Sequence, residues 1–335
     1  MPDDPTMIVP NSFTSLNGDT FVAAVTGGTG FIGGRLVERL VSEGHLVKVL
    51  TRSPSSHAET LACTEVFQGD LIRDLDVLDK FVSGADVLFH CAGEINDSNR
   101  MFTANVEGTK NLVCAAGGKI RHWVQLSSVG VYGTHVDGVI TEETPIAPTD
   151  VYEETKAAAD HIVVEAATNN SFSYTILRPS DVYGSGMRKR GLFQMISLMD
   201  RGLFFFIGKP GASANYIHVD DVVEGLVRCA SMPAAASRVY NLSNYCTLEE
   251  FVSIMSQALD KPPPWLRIPE NWARMFAKVS VFLPNSPLTE KRVNAMVKRA
   301  IYSSARIEAE LGYRHRACMQ ESLQQLVKAW YGTKL

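Results

Sequence analysis

The sequence lacks long hydrophobic runs, and its charges are well mixed. A helix that crosses a bilayer needs about 20 consecutive apolar residues. The apolar stretches here, such as residues 203–207 and 279–283, are far shorter, so we expect no transmembrane segment and leave contact with a membrane surface open. Residues 1–20 lack the basic start and apolar centre of a signal peptide, and we expect a flexible tail there.

Cysteine is also scarce, and no Cys-x-x-Cys pair occurs. Without such spacing, neither a disulfide framework nor a zinc or other metal site is predicted. Reduced thiols in a cytoplasmic protein fit this usage better. The net charge of −4 and the absence of a long basic run give no indication of a nucleic-acid partner. The six cysteines are Cys63, Cys91, Cys114, Cys229, Cys246 and Cys318.

The sequence does contain a glycine-rich stretch at residues 26–34, preceded by a strand-like apolar segment and followed by apolar residues at helical spacing. Gly27 permits a tight turn, Gly30 lets backbone N–H groups approach a pyrophosphate, and Gly33 allows close packing. The following helix directs unpaired N–H groups at the phosphates. This order predicts a dinucleotide site; a glycine-rich turn without ligand is the alternative.

The first half of the chain alternates between strand-like and helical runs, which predicts a doubly wound parallel sheet of the Rossmann type, an α/β fold. We expect a tail at residues 1–20 and a dinucleotide-binding domain at 21–183. A smaller, mostly helical substrate domain is expected at 184–215 and 243–335, with 216–242 returning to the first domain. Strand candidates are residues 46–50, 65–67, 87–90, 123–126, 174–177 and 239–242; helix candidates include 75–82, 102–116 and 152–167.

Tyr152 and Lys156 are the strongest indication of catalysis in the sequence, because positions i and i+4 share one face of a helix. A free tyrosine has a pKa near ~10, and a nearby cation lowers it toward the range useful for acid/base catalysis. The motif alone is common on solvent-exposed helices. Here it comes after a strand candidate that ends in Ser127-Ser128, where a hydroxyl can donate to a substrate carbonyl.

Taken together, these motifs resemble the extended short-chain dehydrogenase/reductase family, the NAD-dependent epimerase/dehydratase family, and within it the nucleotide-sugar-modifying branch. The resemblance is clear over residues 21–242. Besides the glycine loop, Ser128 and Tyr152-x-x-x-Lys156, it rests on Asp70-Leu71, Asn105 and residues 90–93, 131–133, 177–179 and 216–221.

The resemblance implies a role for each matching residue. Tyr152 would be the acid/base, Lys156 would bind the nicotinamide ribose and tune Tyr152, and Ser128 would polarise the carbonyl. Ser127 is the less favoured of the two serines for this role, with capping of the backbone as its alternative, while His90 would be structural and Asn105 would position a helix. The implied cofactor-binding residues are Gly27, Thr29, Gly30, Phe31, Ile32, Gly33, Asp70, Leu71, Ala92, Gly93 and Lys156, with homodimerisation through residues 102–116 and 152–167.

The end of the second strand candidate bears on the choice of cofactor. An acid about 20 residues past the glycine loop would favour NAD, but Leu50-Thr51-Arg52-Ser53 contains none. Because the Arg52 guanidinium can pair with a 2′-phosphate and stack on adenine, NADP is favoured over NAD. Arg35 could assist, although a surface salt bridge is its alternative role.

The residues after Ser128 reduce the number of reactions that the sequence allows. Residues 128–133 contain no carboxylate, whereas 4,6-dehydratases of the family carry an acidic pair there, so elimination is not expected. Arg52 favours a ketoreductase that uses NADPH over a 4-epimerase that holds NAD tightly. A non-catalytic NADP sensor is a third possibility, and the retained Tyr152–Lys156 pair argues against it.

The substrate is predicted to be a nucleotide-linked sugar that carries a keto group, although two positions depart from that pattern. Asp181 and Ala214 stand where many relatives have Asn and Arg near the sugar diphosphate. Arg188 or Arg292 could compensate from the lid, and Asp181 itself would face the substrate. The apolar segments 203–207 and 272–283 also suit a bulky apolar ketone, as in the hydroxysteroid-dehydrogenase-like branch, or simply a domain core.

Overall fold

The computed structural model describes residues 20–54, 58–134, 137–170, 172–187, 190–279 and 288–332. Its centre is a seven-stranded sheet in which every neighbouring pair is parallel. In spatial order the strands are β11 (Arg238–Leu242), β7 (Ser173–Pro179), β5 (His122–Leu126), β4 (Val87–His90), β1 (Val22–Thr26), β2 (Leu46–Thr51) and β3 (Glu65–Gln68).

Helices cover both faces of this sheet because its central strands are apolar on both sides. Ala23 and Val25 of β1 face one hydrophobic core, and Ala24 between them faces the other. The first core contains α1 (Phe31–Ser42) and α8 (Val219–Ser231), and the second contains α3 (Leu75–Val82), α5 (Gly108–Ala116) and α6 (Val151–Asn170). The predicted doubly wound α/β fold is confirmed.

The remaining helices and strands complete the fold. Three short helices or turns flank the sheet: α2 (Ala58–Leu61), α4 (Ser98–Met101) and a 3₁₀ turn at Val129–Tyr132. The later elements are β6 (Val139–Ile140), β8 (Asp181–Tyr183), α7 (Arg190–Asp200), β9 (Phe206–Ile207), β10 (Ser213–His218), β12 (Asn244–Thr247), α9 (Leu248–Ala258), β13 (Arg267–Ile268), α10 (Glu270–Val279), α11 (Glu290–Val297), β14 (Ile301–Tyr302), α12 (Ala305–Leu311) and α13 (Met319–Gly332).

The strand predictions are confirmed, and two details differ from expectation. Residues 102–107, expected to begin an α-helix, form a π-helical turn before α5. Within the segment expected to return to the large sheet, β11 does pair with β7, but β10 pairs with β8 and β12 in a separate three-stranded sheet. The division into two domains stays a prediction.

The glycine loop between β1 and α1 is sterically closed to larger residues. Gly27 has φ +69, in the left-handed region, and a Cβ there would lie 2.7 Å from the backbone nitrogen of Ala92. A Cβ on Gly33 would lie 2.2 Å from the Gly27 carbonyl oxygen. The third glycine therefore lets α1 begin directly against the loop.

The expectations about the cysteines and about transmembrane segments can be compared with the structure. All six cysteines are present as free thiols, and burial raises the pKa of the Cys91 thiol to about 12. Among the helices of the described ranges, none is both long and apolar enough to cross a bilayer.

Candidate active site

The carboxyl ends of the parallel strands bring the predicted site residues to one edge of the sheet. Ser127 and Ser128 follow β5, Cys91 to Gly93 follow β4, and Asp70 and Leu71 follow β3. The N-terminal half of α6 lies over this edge. The sequence motifs thus converge because parallel topology places all strand ends together.

The start of α6 is fixed by side-chain caps. Asp150 Oδ1 accepts a hydrogen bond from the backbone N–H of Glu153 at 3.0 Å, and Glu153 Oε2 accepts from the Thr149 N–H at 2.7 Å. These contacts satisfy donors that a helix start leaves unpaired. Tyr152 and Lys156 lie one turn apart on this fixed helix.

Ser128 lies close enough to Tyr152 to influence its pKa, so the structure brings these two predicted residues together. Burial raises the pKa of Tyr152 to about 12; Ser128 lowers it, and the nearby carboxylates of Asp181, Asp160 and Asp150 raise it. Burial is the largest cause of this raised pKa. The tuning of Tyr152 by Lys156 stays a prediction.

Lys156 is buried, and its ammonium donates to the carbonyl oxygen of Leu126, the last residue of β5, at 2.5 Å. Burial lowers the pKa of Lys156, whereas the Asp160 carboxylate and the Cys91 thiol raise it. The carboxyl end of β5 thus fixes the Lys156 side chain one helical turn after Tyr152. This contact explains why Lys156 is directed at the backbone of β5 in this structure.

A buried polar network lies beyond Lys156. Arg178 in β7 forms an ion pair with Asp160 at 3.1 Å, and both side chains are about 5% exposed or less. Ser127 donates to the same carboxylate at 2.8 Å, so its expected role as a backbone cap is wrong. Arg178 also donates to Tyr132 Oη at 2.9 Å, and Tyr132 donates to Asn241 Oδ1 at 2.9 Å.

The backbone cap after β5 is instead made by Ser128. Its hydroxyl oxygen accepts a hydrogen bond from the Gly130 N–H at 3.0 Å, at the start of the 3₁₀ turn. Ser128 is half-buried, whereas Ser127 is buried. Because the Gly130 N–H occupies one lone pair, the Ser128 hydroxyl proton remains directed away from the backbone, where a carbonyl could accept it.

His90 and Asn105 occupy structural positions. His90 is buried between Thr26 Oγ1 at 2.7 Å and Thr109 Oγ1 at 3.0 Å, and burial lowers its pKa to about 3. Asn105, in the π-helical turn, donates to the Glu94 carbonyl at 3.0 Å and to Thr155 Oγ1 at 3.1 Å. Asn105 thereby ties the loop after β4 to the helix that carries Tyr152 and Lys156.

The glycine loop fits a dinucleotide. Its three glycines leave a cradle that a Cβ would fill, and no side chain caps the start of α1, which has no acidic residue in its first turn. The unpaired N–H groups at this helix start, near Phe31 and Ile32, therefore suit a pyrophosphate. Asp70 and Leu71 lie on the loop after β3, where Asp70 Oδ1 accepts from the Ile72 N–H at 2.8 Å.

Arg52 and Arg35, the two arginines considered for binding the adenosine part of the cofactor, differ in their surroundings. Arg52 follows β2, is exposed and makes no ion pair within the described ranges. Arg35 donates to Asp220 at 2.8 Å and to Glu38 at 3.2 Å, which is the surface salt bridge proposed as its alternative role. Arg35 is thus already engaged, and Arg52 is the arginine available to a ligand.

The residues predicted to bind the substrate lie in different parts of the structure. Asp181 starts β8 and lies close enough to raise the pKa of Tyr152. Arg292 in α11 donates to Gln194 Oε1 in α7 at 2.6 Å, a contact between two helices beyond the large sheet. Arg188 lies outside the described residues. Of these candidates, the contacts place Asp181 alone beside Tyr152.

Sequence reasoning missed the support beneath the site. Asp160 lies four residues after Lys156, and so on the same helical face, while Arg178 belongs to the Leu177-Arg178-Pro179 motif already noted. These two signals are present in the sequence. Their pairing is not, since it depends on α6 packing across β7.

The parallel sheet, the glycine loop and the arrangement of Ser128, Tyr152 and Lys156 define a short-chain dehydrogenase/reductase. A family model for the NAD dependent epimerase/dehydratase family matches residues 23–243, well over half of the chain. The chain belongs to this family and is an NAD(P)-dependent enzyme of the extended short-chain type.

Its relatives have different substrates. A 3 beta-hydroxysteroid dehydrogenase/Delta 5-->4-isomerase of Mycobacterium tuberculosis is 28% identical over 90% of this chain and 88% of its own length. A UDP-glucose 4-epimerase of Mycolicibacterium smegmatis is 30% identical over 65% of this chain and 75% of its own. The structure of MoeE5 in complex with UDP-glucuronic acid and NAD has a TM-score of 0.71 at 25% identity, covering 94% of this chain and all of that one.

The buried Asp160–Arg178 pair gives a first testable prediction. Replacing Arg178 by Met leaves a carboxylate buried without its partner, and we expect unfolding free energy to fall by about 3–5 kcal/mol. Urea denaturation followed by circular dichroism measures this. In the exposed Lys119–Asp79 pair, Asp79→Asn should cost at most about 1 kcal/mol. Equal losses in the two variants would show that the pair has no special structural role.

Proposed function

We propose that this enzyme reduces a keto group on a nucleotide-linked sugar, using NADPH, with Tyr152 as the proton donor. The observation that carries the proposal is the position of Tyr152, which is half-buried beside Ser128 at the carboxyl edge of the sheet, where burial raises its pKa to about 12. Such a phenol is protonated at neutral pH. It is therefore ready to donate a proton, as ketone reduction requires.

The roles of the side chains follow from this arrangement. A bound nicotinamide cofactor supplies the hydride. The Ser128 and Tyr152 hydroxyls donate hydrogen bonds to the carbonyl oxygen, where negative charge develops. Tyr152 then releases its proton to that oxygen, since an alkoxide is more basic than a phenolate. The Lys156 ammonium, held by Leu126 and the Asp160–Arg178 pair, provides positive charge near the phenolate that remains.

The position of Arg52 favours NADPH, and with it net reduction over epimerisation. Arg52 is exposed at the end of β2, where an acid would otherwise bind ribose hydroxyls, and its guanidinium suits a 2′-phosphate. Net reduction also requires that NADP leaves after each turnover and that a new NADPH takes its place. A 4-epimerase instead returns the hydride to its own intermediate, and the UDP-glucose 4-epimerase relative makes this the main alternative.

Oxidoreduction of a bulky apolar alcohol or ketone is the second candidate. Asp181, beside Tyr152, adds negative charge where a sugar diphosphate would already bring some, and Ala214 is buried in β10 and offers no cation. The 3 beta-hydroxysteroid dehydrogenase relative supports this candidate. Arg292 in α11 favours the nucleotide sugar, because it places a positive charge beside α7, where its guanidinium donates to Gln194.

The pKa of Tyr152 predicts the pH dependence of the reaction. Alcohol oxidation needs the phenolate, so its rate should rise with pH throughout the range below about 12, whereas ketone reduction should stay nearly flat there. Tyr152→Phe should lower kcat in both directions by at least about a hundredfold. Tyr245→Phe, a partly exposed tyrosine on β12, is the control. Full turnover in Tyr152→Phe would refute the assigned role.

Arg52 gives a prediction for the cofactor. Arg52→Ser should raise the KM for NADPH about tenfold or more, because a charge-assisted bond to the 2′-phosphate is lost, and leave the KM for NADH nearly unchanged. Arg35→Gln is the matched control, since Arg35 is already paired with Asp220 and Glu38. Equal effects of the two variants on both cofactors would argue against a 2′-phosphate site at Arg52.

A substrate comparison separates the two candidates. We expect NADPH oxidation to depend on a UDP-linked 4-keto sugar and to be at least about tenfold slower with apolar ring ketones at equal concentration. The measurement is kcat/KM for each class. Turnover with apolar ketones alone would replace the nucleotide-sugar assignment with the second candidate.

A further inference from the structure

Helix α10 in the C-terminal part of the chain has two apolar faces. Ala273 and Ala277 are buried and pack in a small core with Ile207 and Val293. The larger side chains point the other way: Trp272, Met275 and Phe276 are each about half exposed. A surface helix normally turns its large apolar residues inward, so this arrangement needs an explanation outside the domain core.

The exposed residues form one surface along the helix. Positions 272, 275 and 276 fall within an arc of about 100°, opposite the two alanines. The rings of Trp272 and Phe276 are 6.4 Å apart. Trp265, in the connector that precedes β13, is 89% exposed, the largest exposed fraction among the large apolar side chains of the described residues. We call Trp272, Met275 and Phe276 the aromatic face.

The charge around the aromatic face differs from that of the rest of the protein. Residues 261–299 contain eight lysines and arginines and two glutamates, a net charge of +6 in a chain whose net charge is −4. Positive charge is therefore concentrated in this one segment, and the remainder of the chain is acidic.

Two of these lysines lie near the aromatic face in the sequence. Lys261 precedes the Pro262-Pro263-Pro264-Trp265 connector, and Lys278 follows Phe276 by two residues on α10. Both side chains are exposed, and neither forms an ion pair with another residue in the ranges that the structure describes. Their charges are thus available to an external partner.

We propose that the aromatic face docks on the surface of an anionic lipid bilayer. Tryptophan and phenylalanine rings insert at the headgroup level, where an apolar body and a polar edge are both accommodated, and flanking lysines meet lipid phosphates. With ten residues, α10 is too short to span a bilayer, so the contact is peripheral. A second copy of this chain suits the face less well, because self-association would bring two segments of +6 together.

Vesicle sedimentation tests the proposal, with purified full-length protein and vesicles of phosphatidylcholine with or without phosphatidylglycerol. We expect binding that requires phosphatidylglycerol and weakens with added salt. Trp272→Ser/Phe276→Ser should lower the vesicle affinity by about tenfold or more, and Lys261→Gln/Lys278→Gln should lower it by several-fold. Leu75→Ser and Lys80→Gln, exposed positions on α3, are the matched controls and should bind as the unmodified protein does.

Tryptophan fluorescence provides a second readout. Trp123 and Trp330 are buried, so a blue shift on adding anionic vesicles would report Trp265 and Trp272, and circular dichroism checks that each variant is folded. No binding to either vesicle type would overturn the proposal. An oligomer that dissociates in Trp272→Ser/Phe276→Ser, measured by sedimentation equilibrium without lipid, would overturn it in favour of an interface between copies. Neither readout depends on the substrate assignment.

Discussion

The hydrogen bond from the buried Lys156 ammonium to the Leu126 carbonyl is the contact on which the site depends. A charged amine is costly to bury unless it is bonded and balanced. Here the Leu126 carbonyl at the strand end accepts a hydrogen bond from the ammonium and Asp160 supplies the opposing charge, while Arg178 is paired with that carboxylate. The site is therefore one connected polar unit that joins α6, β5 and β7.

This arrangement also explains the protonation state of Tyr152. With the lysine held at the backbone of β5, desolvation and neighbouring carboxylates dominate, and the phenol keeps its proton at neutral pH. Tyr152 is half-buried and lies beside Ser128. A protonated phenol in this position is what the proposed ketone reduction requires.

The sequence was enough to predict the sheet, because its strands are short apolar runs separated by helical periodicity, and the parallel order is a consequence of that alternation. It was also enough to predict that Ser128 and the glycine loop follow strands and that Tyr152 and Lys156 lie one turn apart on a helix. The catalytic and binding roles of these residues stay predictions. It did not predict the Asp160–Arg178 pair or the role of Ser127, because these depend on how α6 crosses β7. The burial that raises the Tyr152 pKa was not predicted either, because it depends on packing that the spacing of residues does not encode.

The central claim is that this site carries out a net reduction, with Tyr152 giving a proton and the cofactor leaving oxidised. Incubating the enzyme with NADPH that carries deuterium at both C4 positions and with a UDP-linked 4-keto sugar, then analysing the sugar by mass spectrometry, tests it directly. We expect one deuterium in each product molecule and one NADP released for each ketone consumed. An unlabelled product with interconverted epimers and a cofactor that stays bound would contradict it.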